Sequence, residues 1–301
     1  MRRNPGLALC LILAVCAAAQ AVTIDWVTVG NAPNAADTRY DYPPGYGAAA
    51  NPYRISRYET TAGQYTEFLN AVAATDTYAL YNTSMWSSTY GCKIQRSNSP
   101  GSYTYSVAAD RADRPVNNVS LWDAARFANW MHNGQGSADT ESGAYINVGN
   151  QATFARLADA LFFIATENEW YKAAYYDPNK GGPGVPGYWT YPTMSDTAPS
   201  NQLIDPDPGN NATFYDSGYT IDSPYYTTVV GAHENSASAY GTFDQGGNLW
   251  EWNEAVLYTT SRGIRGGSWY GSAGPLSASS RYYIRSVVRV LLCRFSSRRF
   301  P

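Results

Sequence analysis

The chain has 301 residues, 15% of them charged, and a formal net charge of −3, so its overall balance gives no support for long-range attraction to nucleic acid or a strongly acidic partner. Tyrosine, tryptophan and glycine are abundant, at 26, 9 and 26 residues, which points to aromatic rings packed among loops and argues against a chain built of long helices. No charge block or low-complexity linker divides it, and a chain of this length is read as one large domain.

Arg2 and Arg3 precede an apolar run from Leu7 to Ala19 that ends on Ala19-Gln20-Ala21. This is the pattern of a secretory signal over residues 1–21, which leaves 22–301 as a mature domain that is secreted or periplasmic. The run is too short for a permanent membrane helix, and no later stretch reaches roughly 18 unbroken apolar residues, so no transmembrane segment is expected after signal removal. Leu13-Ala14-Val15-Cys16 faintly resembles a lipobox, but Val15 is larger than such a site takes, which disfavours a lipoprotein. Signal removal leaves Cys92 and Cys293. They can form a disulfide only if the fold brings them together, and they lack the CxxC spacing of a zinc or thioredoxin-like site.

A short apolar segment, Val22 to Val29, leads into a turn-rich loop through Pro52. Ile55 to Thr60 then alternates like a strand, and Thr61 stands as an N-cap before Tyr65, Phe68, Leu69 and Val72, an amphipathic helical spacing. Pro115 to Val119 reads as extended. Ser120 caps a second helix, whose buried side carries Trp122, Ala125, Phe127, Ala128 and Met131 and which Asn133-Gly134 stops. Thr166-Glu167-Asn168-Glu169 is a capping box that opens a third helix through Trp170 and Ala174, ending before Pro178. From Gly181 to Tyr226 the composition predicts long ordered loops, with strand-like pieces at Thr227–Val230, Leu249–Trp252 and Ile264–Trp269.

Four segments in this order carry a resemblance: Tyr58 to Tyr65; Arg114 to Ala124; Ala165 to Trp170; and Gly246-Gly247-Asn248-Leu249-Trp250-Glu251-Trp252 with Arg265-Gly266-Gly267-Ser268-Trp269. Together they resemble the formylglycine-generating enzyme and sulfatase-modifying factor family, over about residues 24 to 276. The resemblance implies an α+β fold: a compact domain with a C-type lectin-like core, little regular secondary structure and long loops. In catalytic members two cysteines after the Gly-Gly-Ser-aromatic motif bind copper and activate oxygen. Here those positions are Gly271 and Leu276, which cannot ligate copper, so the expectation is a pseudoenzyme with no catalytic residues of that kind.

The resemblance also implies a calcium site on Asp244, Gly247, Leu249 and Glu251, all oxygen donors in a glycine-containing loop, with a turn-bonded Glu251 as the competing expectation. A second calcium site maps loosely to Thr213, Phe214, Asp222 and Pro224. In non-catalytic relatives the surface around the old active site binds ligand, which here places Trp269, Tyr270, Tyr282 and Tyr283 on a contact face for a glycan, peptide or protein, unless those rings are core. His132 and His233 stand without motifs and read as surface or capping groups. No Gly-x-Ser-x-Gly elbow supports a hydrolase. The ending is atypical from about residue 277: from Arg281 onward it holds six arginines, at 281, 285, 289, 294, 298 and 299, and no acid. It reads as a substituted strand, a solvated tail, or a frameshifted or rapidly varied end. Three functions follow: a calcium-stiffened recognition module, an oxidase or other enzyme on the same scaffold, or a decayed paralogue.

Overall fold

The computed structural model describes residues 21–40, 45–289 and 292–298, without the side chains of Leu292 and Cys293. The predicted signal segment through Gln20 and Arg299 lie outside the described residues. Among the described residues no helix is long and apolar enough to cross a membrane.

Three helices form where the capping chemistry predicts them. Helix α1, Ala62–Val72, is capped by Thr61, whose hydroxyl accepts from the Gln64 amide while the Gln64 side chain accepts from the Thr61 N–H. Helix α2, Leu121–His132, repeats the reciprocal box with Ser120 and Asp123, and helix α3, Glu167–Tyr175, repeats it with Thr166 and Glu169. Each box satisfies two N–H groups that a helix start would otherwise leave unpaired. Short helical turns occupy Ser84–Ser87 and Ala109–Ala112.

Eight strands make the two larger sheets: β1 Trp26–Val29, β2 Tyr53–Ser56, β3 Phe162–Ile164, β4 Glu251–Tyr258, β5 Ser261–Arg265, β6 Tyr282–Arg285, β7 Leu292–Cys293 and β8 Phe295–Ser297. The first sheet has the order β1-β2-β8-β3 and is antiparallel throughout; the second has the order β6-β5-β4-β7, with β7 parallel to β4. Small two-stranded pieces and long loops complete a mixed α and β architecture with few helices. Thr227–Val230 is not a strand. Its N–H groups go to scattered acceptors, Thr228 to the Asn248 side chain and Val230 to the Asp113 carbonyl, so no ladder forms.

The chain's ending is part of the core. Ser296 sits opposite both Ile55 and Phe163, which places β8 between β2 and β3. Phe295 is buried with its ring 5.2 Å from Phe127 and 4.8 Å from Phe162. Burying such a side chain contributes about 1.5–3 kcal/mol. Three of the six arginines read as a solvated tail instead reach carboxylates on distant elements: Arg281 pairs with Glu167 of α3 at 2.5 Å, Arg289 with Asp123 of α2 at 3.0 Å, and Arg294 with Glu251 of β4 at 3.0 Å. An acid-free ending is therefore complementary to acids elsewhere in the fold. Cys92 is a free, buried thiol.

Candidate recognition surface

The segment after Asp244 is a platform set by backbone geometry. Gly247 has φ +89°, and a Cβ there would lie 2.2 Å from the Thr213 carbonyl oxygen, so only glycine fits. Asn248 follows at φ +54° and locks the turn: its Nδ2 donates to Glu59 Oε2 at 2.7 Å, its Oδ1 accepts from the Thr228 N–H at 3.1 Å, and its carbonyl accepts from the Trp269 N–H at 2.9 Å. Gly266, at φ +98°, packs against the Gln245 carbonyl in the same way. These contacts hold the Trp269 backbone in place.

Four tyrosine rings surround Trp269, with centroids at 4.9 Å (Tyr226), 5.1 Å (Tyr90), 5.4 Å (Tyr219) and 5.5 Å (Tyr270). Tyr215 extends the cluster by packing on Tyr219 at 5.1 Å, and its N–H donates to the Gly271 carbonyl. The exposures divide the cluster into base and surface. Trp269 is 8% exposed, whereas Tyr270 is 68% and Tyr90 50% exposed. The predicted four-residue face is thus split in role and place: Trp269 is a buried support and Tyr270 an exposed ring. Tyr282 and Tyr283, both exposed, belong to β6, where Tyr282 packs on Trp250 and Tyr283 on Tyr258. Successive strand residues point to opposite sides, which separates these two. Sequence reading missed Tyr90, Tyr215, Tyr219 and Tyr226. The only hint was the tyrosine richness of their loops.

The two positions onto which the resemblance carries the family's cysteines, Gly271 and Leu276, are apart in character. Gly271 closes a tight turn, donating to the Ser268 carbonyl at 3.0 Å. Leu276 is fully buried, packed with Ala212 and Phe214, while its carbonyl accepts from Tyr175 Oη at 3.0 Å. Position 276 has become core, and neither side chain offers copper a ligand.

Calcium was tested against the donors present. The Glu251 carboxylate is completely buried and accepts from Trp170 Nε1 at 2.6 Å and from Arg294 Nε and Nη2, each at 3.0 Å. Asp244 accepts from the Gly231 N–H at 2.6 Å, and burial pushes its carboxyl up to about 6. Glu251 thus already has a guanidinium as counter-charge, whereas Asp244 and Glu59 make no ion pair among the described residues. The second set makes contacts of its own within the protein. Thr213 Oγ1 bonds to Thr228 and His233, the Phe214 carbonyl accepts from Asn201, and the Pro224 carbonyl accepts from the Arg111 guanidinium. The Asp222 main-chain carbonyl accepts from Tyr225. Among the described residues no group of three or more histidine, cysteine, aspartate or glutamate side chains is placed to hold a metal ion.

His132, in the last turn of α2, accepts from the Leu161 N–H at 3.1 Å. His233 departs from the surface role expected of it. It is buried, its Nε2 lies 3.1 Å from Thr213 Oγ1, its Nδ1 has no hydrogen-bond partner, and burial pushes its pKa down. Ser268 serves the turn and forms no hydroxyl–imidazole pair with either histidine.

A compact α+β domain of short strands and long loops, with a Gly-Asn turn locked beneath a Gly-Gly-Ser-Trp segment, defines the formylglycine-generating class of fold. The profile of the sulfatase-modifying factor enzyme 1-like domain matches residues 18–289, and the chain belongs to that family. Among solved structures it is similar to CarF, at 20% identity over 91% of this chain and 98% of that one with a TM-score of 0.53. It is also similar to Treponema denticola variable protein 1, at 21% identity over 91% and 95% with a TM-score of 0.54. These likenesses concern the fold. No curated protein matches the chain.

Proposed function

We propose that this chain is a secreted or periplasmic, non-catalytic recognition module, whose contact surface is the tyrosine cluster around Trp269 and which binds a glycan, a peptide or a protein. The observation that carries this reading is the pairing of a buried Trp269 base with exposed Tyr90 and Tyr270 rings on a turn locked by Gly247 and Asn248. Tyrosine gives large amphipathic contact area with little side-chain entropy to lose, and a rigid support lowers the cost of binding further. The closure of position 276 by a core leucine supports the non-catalytic part.

Glycan and peptide arrays probed with the full chain and with Tyr90→Ser/Tyr270→Ser test the proposal. Both rings are exposed, so the variant is expected to fold normally and to lose at least tenfold in affinity for the ligand class the parent retains. Retained affinity in the variant would remove this surface from the reading. Copper-dependent oxygen consumption with a cysteine-containing peptide would replace the proposal with an enzyme.

A further inference from the structure

The second sheet ends on an open edge. Among the described residues β6 pairs with β5 on one side and with no strand on the other. Tyr282 is 45% and Tyr283 52% exposed, Arg285 is exposed and Ile284 half-buried. An open edge offers a row of unpaired N–H and C=O groups to a further strand, and proteins commonly blunt it with a proline, a bulge or several charges. Tyr282–Arg285 contains no proline, and its pairing with β5 runs without a register shift. Its one charge is also unspent. Arg281 and Arg289 pair with Glu167 and Asp123, whereas Arg285 makes no ion pair and lies over no ring among the described residues.

We propose that β6 is a self-association edge, through which two copies of this chain join their second sheets as antiparallel strands in the register centred on Ile284. The backbone groups that β5 leaves free recur at every second residue, and in a two-fold pair they must meet the same set in the second copy. Only registers that set one residue opposite itself satisfy this. Two of them keep three of the four strand residues paired, those centred on Tyr283 and on Ile284. The first sets Arg281 opposite Arg285 of the second copy, and like charges directly opposite are destabilising. The second sets Ile284 against Ile284 on one face and, twice by symmetry, Arg285 against Tyr283 on the other. The unspent guanidinium then meets an exposed ring that Tyr258 already backs at 4.7 Å between centroids. Arginine over a tyrosine face is an attractive pairing. This edge is separate from the tyrosine cluster around Trp269, so the two surfaces can be occupied together.

Analytical ultracentrifugation of the full chain from about 1 μM to about 1 mM, the affinity range of small transient interfaces, tests the proposal. A reversible shift from monomer to dimer is expected. Tyr283→Ser/Arg285→Ser alters two exposed side chains and is expected to keep the parent's thermal midpoint while associating at least tenfold more weakly, whereas Tyr90→Ser/Tyr270→Ser associates as the parent does. Ile284→Cys is expected to cross-link two copies under mild oxidation, because residues directly opposite on paired strands bring their Cβ atoms within about 5 Å, and Tyr283→Cys is expected to cross-link far less. A parent that stays monomeric throughout overturns the inference and leaves the edge to an extended segment of another protein. A dimer that the Tyr283→Ser/Arg285→Ser variant does not weaken, or cross-linking stronger at residue 283 than at 284, overturns it as well.

Discussion

Leu276, one of the two positions onto which the resemblance carries a cysteine, serves the fold. Its side chain fills an apolar pocket formed with Ala212 and Phe214. Leu276→Ala is expected to cost about 2–5 kcal/mol in denaturant unfolding, because the removed atoms leave a cavity that rigid neighbours cannot close. A loss under about 1 kcal/mol would mean that the pocket collapses or is open to water. That glycine and leucine stand at residues 271 and 276 was legible from the sequence, since residue identity is local information. The surroundings were not. That Leu276 is core, that Trp269 is a base and Tyr270 a surface ring, and that His233 is buried all depend on which distant segments arrive, and residues 90, 219, 226 and 269 meet only in three dimensions.

The helices are the elements that sequence reading placed best. Their starts are written in a few adjacent residues, a hydroxyl at the cap and an acceptor three positions on, and their buried sides in a short repeat. Thr166→Ala is expected to cost about 1 kcal/mol, measured as the change in unfolding free energy, because it frees the Glu169 N–H that the Thr166 hydroxyl satisfies. No change would mean that Glu169 or water substitutes fully for the cap. Strands were harder to read. The run expected from Ile55 to Thr60 pairs only as far as Ser56, where Arg57 turns its N–H to the Asp25 carbonyl. The stretch from Leu292 to Ser297 contains β7 and β8, which belong to different sheets and are joined at Arg294. Periodicity cannot announce a strand of two or three residues.

Across the whole molecule, buried acids set the pH dependence. Burial pushes Asp123 and Asp244 up to about 6 and Glu254 up to about 7, and holds Glu59 well above its ordinary value. A raised acid binds more protons folded than unfolded between its two pKa values, so its contribution is fully present at low pH and is lost as pH rises through the folded value. Asp37, Asp139, Asp196 and Asp207 are lowered by hydrogen bonds that outweigh burial where burial opposes them, and their contribution is lost only as pH falls below about 4. Burial also raises Asp76, while His233 and Lys172, the latter pushed down to about 8, oppose the raised acids but are outnumbered by them below about pH 8. The thermal midpoint is therefore expected to peak between about pH 4 and 6 and to be higher at about pH 5 than at about pH 8, with a smaller difference in Glu254→Gln. A midpoint that climbs steadily to pH 8 would refute this assignment.

By itself the sequence determined the family, the three capped helices and the glycine turns, because each is encoded in neighbouring residues whose chemistry acts within a turn or two of backbone. Only the tertiary structure decided what the ending does and what neutralises Glu251. Arg281, Arg289 and Arg294 find acids 114, 166 and 43 positions away. A charge can be counted in a sequence, but its partner is chosen by the packing that brings two distant segments within about 3 Å in a medium where neither can be left alone.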